Sequence, residues 1–192
     1  IFQWQILPKM KTFEARFKKI KLISYSYSAG EIIKAVETRR LDTGIVRRTA
    51  LSNTDLIAKH IGEIHYKLFM PSQLCKRTKR NHLPTIQGVP FCTLTGDGEY
   101  AKAMTRFLSA FNGTPALNCS SMTQMSAAVQ SGQYAAILPA NAELSMPEPA
   151  TRVFSLPELA PFTRQISLIF KSDLKDSAEK SAVLDFLSNC ID

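Results

Sequence analysis

One local pattern occurs twice in this chain of 192 residues. AVETRRLDTGIV, residues 35–46, and AVQSGQYAAILP, residues 128–139, both begin with Ala-Val, continue through polar residues and finish in a short apolar run. Each stretch predicts an amphipathic helix that ends at a turn and leads into a buried strand. Since a helix between strands is the building unit of α/β proteins, the repeat predicts two small α/β domains.

The first half of the chain predicts one further strand and a clearly delimited helix. KIKLISYSY, residues 19–27, alternates its side chains between two faces and predicts a strand with one buried face. Ser28 follows, with Glu31 three residues later, which is the capping-box pattern that starts a helix. The helix is expected to end near Arg39 and to lead into the apolar run of residues 41–46.

The second half repeats this order of elements. Thr95 or Asp97 is expected to cap a helix whose apolar stripe extends from Tyr100 to Phe111. Ser121 is expected to cap the next helix, and a buried strand follows it. Because strands alternate with helices, we expect parallel sheets with helices on both faces.

Two longer strands, Tyr66–Pro71 and residues 165–170, predict that the chain crosses twice between two lobes. Lobe I then comprises residues 1–70 and 166–192, and lobe II comprises residues 71–165. A double crossing of this kind leaves a cleft with a hinge at its base. The predicted fold class is therefore α/β, with two Rossmann-like lobes joined by two crossover strands and a cleft between the lobes.

The formal net charge of +8 raises the question of nucleic-acid binding. The basic residues fall in separate clusters at 9–21, 39–40, 47–48 and 76–80, and none is interleaved with aromatic residues as in a platform for single-stranded nucleic acid. We therefore interpret the charge as a solvated basic surface. No apolar run approaches the ~20 residues that a membrane-spanning helix needs, so no membrane contact is expected.

The four cysteines, Cys75, Cys92, Cys119 and Cys190, form no Cys-x-x-Cys pair. Cysteines spread this widely are typical of reduced thiols in a cytoplasmic protein. The alternative is a disulfide in a secreted protein, with Cys92 and Cys119 as neighbours on adjacent strands.

Motifs for catalysis are absent from the sequence. It contains neither the G-x-S-x-G nucleophile turn nor the G-x-x-x-x-G-K-[ST] phosphate loop, and TGDGEY lacks the lysine of the latter. His60, His65 and His82 have no acidic or cysteine partner at a useful spacing. We therefore expect no catalytic residue, no metal site and no cofactor.

Candidate binding residues lie at predicted strand ends. Ligands of open α/β sheets bind beyond the carboxyl ends of the strands, where helix N-termini offer free N–H groups. The hydroxyl residues predicted at such ends are Ser28, Thr93, Thr95, Ser120, Ser121 and Thr123. Helix capping is the alternative role for each of them. Ile45 and Arg47 follow the Leu-Asp-Thr-Gly run, and Arg47 is either a forked partner for a carboxylate or an exposed, solvated side chain.

Two motifs carry a resemblance to a known family. They are the run of Leu41, Asp42, Gly44 and Ile45, and the later run of Val129, Gly132, Ala135, Leu138 and Pro139. With the order of elements over nearly the whole chain, they resemble the effector-binding domain of LysR-type transcriptional regulators, which is similar to type 2 periplasmic binding proteins. Tyr134 departs from the pattern, since the family usually has a second glycine there. The first strand of lobe I and the winged helix-turn-helix domain are expected before Ile1.

The resemblance implies a sensory domain that binds a small, anionic metabolite between its lobes and catalyses no reaction. By resemblance, Pro139 and Asn141 line the effector pocket. The resemblance also implies a cytoplasmic homodimer or homotetramer, in which the first helix of one copy faces Met122–Gln130 of another, and DNA contact only through the N-terminal domain. An extracytoplasmic solute-binding protein of the same fold and a two-lobed enzyme are the alternatives.

Overall fold

The computed structural model describes residues 1–47, 51, 55–75, 85–96, 99–146 and 148–191. The α-helices of these residues are α1 (Met10–Arg16), α2 (Ala29–Glu37), α3 (Glu99–Phe111), α4 (Met122–Gln130) and α5 (Ala178–Ser188). The strands are β1 (Thr43–Arg47), β2 (Leu56–Ile64), β3 (Tyr66–Pro71), β4 (Pro90–Leu94), β5 (Thr114–Cys119), β6 (Ala136–Pro139), β7 (Thr151–Phe154) and β8 (Arg164–Lys171). The chain therefore has the mixed α/β composition that its sequence predicts.

The chain forms two compact units. The first comprises Ile1–Ile64 and Arg164–Asp192, and the second comprises His65–Thr163. The predicted lobes put residues 66–70 with the first unit, but β3 pairs with β6 and β7, which both lie in the second. Strand pairing therefore places the first crossing between β2 and β3, a few residues before the predicted boundary.

The sheet of the first unit has the order β1-β8-β2, and both neighbours of β8 are antiparallel to it. Helix α2 packs on β1, and buried Val36, Val46 and Ile169 form the core between helix and sheet. The prediction of a parallel sheet is wrong for this unit. Its central strand is β8, which enters from the far end of the chain, so adjacency along the sequence does not set its direction.

Residues 20–25 do not form the predicted strand. Ile23 and Tyr25, on one face, are 61% and 58% exposed, and Ile20 and Leu22, on the other, are only half-buried, so neither face is fully buried. An extended segment becomes a strand only when its backbone N–H and C=O groups pair with a neighbouring strand, and none of the described strands pairs with it. The alternation in the sequence indicated extended backbone but did not supply a partner.

The second unit contains strands of both directions. Strand β3 pairs antiparallel with β6 and β7, while β4 and β5 are parallel, as predicted. A parallel bridge between Phe91 and Ala135 connects β4 to the start of β6. The resulting order from one side to the other is β5-β4-β6-β3-β7.

Helix α3 packs its predicted apolar stripe into this second unit. Tyr100, Met104 and Phe107 are each at most 4% exposed, and the ring of Phe107 contacts Phe162 edge-on at 6.3 Å between centroids. The helix ends as expected at Asn112, whose φ of 49° is the left-handed conformation that terminates helices. Thr95 precedes the helix, whereas Asp97, the other predicted cap, lies outside the described residues.

Candidate functional site

The carboxyl ends of three strands of the second unit point to the same edge of the sheet. Strands β4 and β5 are parallel, and the bridge from Phe91 to Ala135 aligns β6 with them. Strand β3 begins at this edge, because Tyr66 lies opposite Pro139 in the antiparallel β3–β6 pair. In open α/β sheets this edge is where ligands bind. It is called the carboxyl edge below.

Two predicted threonines lie at the end of β4. The Thr93 hydroxyl donates a hydrogen bond to Oδ1 of Asn118 at 2.8 Å, and the Thr95 amide donates to the carbonyl of Cys119 at 2.7 Å. Thr93, Thr95 and Asn118 line an open cavity of ≈ 790 Å³ between α3 and the two strands. The cavity continues along α3 as far as Pro115, so only its Thr95 end lies at the carboxyl edge.

The loop from β5 to α4 carries the other hydroxyl residues. Ser121 caps α4, since its Oγ accepts a hydrogen bond from the amide of Gln124 at 3.2 Å. The amide and the hydroxyl of Ser120 both donate to Oε1 of Gln124, at 2.8 and 2.9 Å. Thr123 lies in the exposed first turn of α4. Ser121 therefore caps α4 as predicted. The N-terminus of α4 follows β5 and lies at the carboxyl edge.

Pro139 ends β6 at the same edge, and Asn141 follows it. Pro139 is buried, and Asn141 is partly exposed in a short 3-10 helix, Ala140–Ser145. The amide of Ala140 donates to the carbonyl of His65 at 2.9 Å, which attaches this segment to the start of β3. All seven residues predicted in the second unit therefore gather at one edge of its sheet.

Sequence reasoning missed three polar residues of this edge. Gln124 holds the β5–α4 loop, and Lys67 of β3 forms an ion pair with Glu143, with 2.7 Å between Nζ and Oε2. Ser121 and Gln124 form the Ser-x-x-Gln pattern of a capping box, but the Gln124 side chain accepts from Ser120 instead of the Ser121 amide, so the pattern alone would not have indicated its role. No local pattern signals the ion pair, because 76 residues separate its partners.

The candidates of the first unit are Ser28, Ile45 and Arg47. Ser28 caps α2 as predicted: its Oγ accepts from the amide of Glu31, whose carboxylate accepts from the Ser28 amide at 2.9 Å. These hydrogen bonds from Ser28 lower the pKa of Glu31 from its ordinary value of 4.5. Ile45 is half-buried opposite Leu168, and Arg47 is exposed at the end of β1. No described hydrogen bond joins these three side chains to one another.

The buried titratable groups of the second unit are held neutral. Burial raises the pKa of the Cys92 thiol to about 12, and burial raises the pKa of Tyr100, whose hydroxyl donates to the carbonyl of Ile137 at 2.6 Å. Cys92 and Cys119 lie on the adjacent strands β4 and β5, and both are free thiols. Among the residues that the structure describes, no cluster of His, Cys, Asp and Glu could hold a metal ion.

Comparison with known proteins shows which family and which solved structures this chain resembles. The family model of the LysR substrate binding domain matches residues 2–190 of this chain. No curated protein matches the sequence. Within the described residues, no helix combines the length and apolar character needed to cross a membrane.

Several solved structures share the fold. The CcmR regulatory domain of Synechocystis PCC6803 in complex with 2-PG is 13% identical, with a TM-score of 0.67 over 98% of this chain and 91% of that one. The reduced OxyR regulatory domain of Pseudomonas aeruginosa is 16% identical, with a TM-score of 0.70 over 100% and 90%. Full-length CbnR bound to its target DNA is 13% identical, with a TM-score of 0.67 over 99% and 67%. With its family match over residues 2–190, this chain belongs to the LysR substrate binding domain family.

Proposed function

We propose that this domain senses a small anionic metabolite, which binds at the carboxyl edge of the second unit. The family is one of substrate-binding domains of transcription regulators and not a family of enzymes. The observation that carries the proposed site is the gathering of Thr95, Ser121 and Asn141 at one sheet edge, beside the N-terminus of α4. Backbone N–H groups and the helix dipole favour negative charge there.

The hydroxyls of this edge fit a ligand with several oxygen atoms. A hydroxyl that accepts a hydrogen bond, as Ser121 does in capping α4, still has its own O–H to donate. Thr93, Ser120 and Thr123 contribute further hydroxyl groups at the same edge. In the first unit, Ser28, Ile45 and Arg47 are proposed as binding candidates in their own right, with Arg47 offering the planar fork that matches a carboxylate.

The sensing domain is proposed to act within a longer regulator in the cytoplasm. The CbnR structure contains a regulator of this type bound to DNA, and this chain covers 67% of that protein. A homodimer or homotetramer, with α1 of one copy facing α4 of another, is proposed to carry the signal. A ligand shifts such an assembly only by binding one of its arrangements more tightly than the other.

The test of the site is a bulky substitution at its exposed threonine. We expect Thr95→Phe to lower the affinity for an organic acid about tenfold or more, because the ring would fill the edge beside Ser121. Isothermal calorimetry of the chain with a panel of organic acids and phosphate esters measures the affinity. Thr114→Phe is the matched control, since Thr114 is exposed at the opposite end of β5.

The two variants separate the site from general damage. Equal melting temperatures with lost affinity in Thr95→Phe alone would support the site. If both variants bind as tightly as the unmodified chain, the carboxyl edge of this unit is not the binding site.

A further inference from the structure

We propose that Lys67 is the cationic contact for the effector in the second unit, and that Glu143 forms an ion pair with this lysine while no effector is bound. The inference rests on the proposed function and adds a charge requirement to it. The effector must carry a carboxylate or phosphate group that reaches the ammonium of Lys67, and this group must displace the carboxylate of Glu143.

The ion pair lies at the carboxyl edge. Lys67 is opposite Leu138 in the β3–β6 pair, one residue from the pair of Tyr66 and Pro139 that ends β6. Glu143 belongs to the short helix Ala140–Ser145, which follows β6 directly and contains Asn141. Glu143 of the ion pair and Asn141 of the proposed site therefore lie in the same short helix after β6.

The order of the strands gives the approximate distance between Lys67 and the loop from β5 to α4. Strand β3 is three positions from β5 in the order β5-β4-β6-β3, and neighbouring strands are ~4.8 Å apart. Lys67 and the Ser120–Ser121 loop are thus roughly 14 Å apart, before side chains are added. A small organic acid whose acid group contacts Lys67 would extend along the edge towards Thr95 and this loop.

Glu143 presents to Lys67 the chemical group that an organic acid would present. Its Oε2 is 2.7 Å from Nζ of Lys67, which is the distance of a charge-assisted hydrogen bond. An incoming carboxylate or phosphate would accept the same hydrogen bond, so the exchange replaces one anion by another. No charge is left buried and unpaired at either stage.

The exposure of the pair suits such an exchange. The side chain of Lys67 is 31% exposed and that of Glu143 is 45% exposed, so the contact contributes little to stability and opens without disturbing the core. Lys67 is nevertheless less exposed than the lysine of the Lys59–Asp185 pair in the first unit, at 43%. Partial burial reduces hydration of the ammonium and strengthens its attraction for an anion.

Two substitutions test the inference because they should act in opposite directions. Lys67→Gln should weaken the binding of an anion, and Glu143→Gln should strengthen it by freeing the lysine, each by about fivefold at low salt, the range for a partly exposed charge pair. Isothermal calorimetry of the 192-residue chain with succinate and with inorganic phosphate measures both. Both effects should shrink at 1 M salt, where charges are screened.

Arg106→Gln and Glu158→Gln are the matched controls. Both residues are exposed in the second unit and neither is in a described ion pair, so these variants change the net charge identically without touching the Lys67–Glu143 contact. The expected result is a change of less than about twofold. Melting temperatures of all four variants report whether the fold is intact.

The outcomes distinguish this inference from the proposed function. If an anion binds and Thr95→Phe abolishes its binding, but Lys67→Gln and Glu143→Gln bind like the controls, the inference is wrong and the site stands. If both variants lose affinity, the ion pair is a structural contact, and the displacement is also wrong. If neither anion binds the unmodified chain, the anionic site itself fails and the inference fails with it.

Discussion

The two units contain the same local piece in different surroundings. Helix α2 leads into β1 in the first unit, and α4 leads into β6 in the second. Strand β6 lies between β3, with which it pairs antiparallel, and β4, which it meets in parallel near Ala135. Strand β1 pairs only with β8 among the described strands and ends the sheet. The same sequence pattern therefore produces an interior strand in one unit and a terminal strand in the other.

The helices also sit differently on these two strands. Gly44 of β1 lies so close to α2 that a Cβ there would be 2.2 Å from Cγ2 of Ile32. The matching position in the second piece is Ile137, which is fully buried in β6. The first unit thus uses the absence of a side chain for close packing, and the second fills the same position with a large one.

The largest expected effect concerns α3, the long helix that packs into the core of the second unit. We expect Phe107→Ala to lower the free energy of unfolding by about 3–5 kcal/mol, because the ring is buried among Phe91, Phe111 and Phe162 and its loss leaves a cavity. Urea denaturation measures the change, with exposed Thr105→Ala on the same helix as the control. A loss below about 1 kcal/mol would mean that α3 does not form part of the core.

Two glycines of the first unit, Gly44 in β1 and Gly30 in α2, test the close packing of this helix on its strand. Gly44→Ala should cost about 1–3 kcal/mol, because Ile32 must move to accept the new methyl group. Gly30→Ala should instead stabilise by up to about 1 kcal/mol, because it is exposed within α2 with no atom within 4 Å of the new Cβ. Differential scanning calorimetry gives both values. The same sign for both variants would contradict close packing at Gly44.

The features that sequence reasoning predicted correctly are local. The capping box of Ser28 and Glu31, the stripe of α3 and the end of that helix at Asn112 each depend on residues within a few positions of one another. The candidate site residues of the second unit were predicted for a related reason, and they remain a prediction. Each lies at or just after the end of a strand, and the parallel order of β4, β5 and β6 brings those ends together.

The features that sequence reasoning missed depend on distant partners. The antiparallel first sheet arises because β8 returns from the far end of the chain between β1 and β2. The ion pair of Lys67 and Glu143 likewise joins β3 to the segment after β6. Spacing along the sequence contains no information on which strand returns to which neighbour, or on which charges then meet.

The smallest expected effect concerns the stretch that was predicted as a strand in the first unit. Ile23→Thr should change the free energy of unfolding by less than about 0.5 kcal/mol, because the side chain is 61% exposed. Ile169→Thr, at a fully buried position of β8 in the same unit, is the control and should cost about 2 kcal/mol or more, since it places a hydroxyl in the core. Urea denaturation of both variants decides whether the side chain of Ile23 is exposed in solution. A loss for Ile23→Thr as large as that of the control would show that Ile23 is buried in solution and that this stretch packs against the rest of its unit.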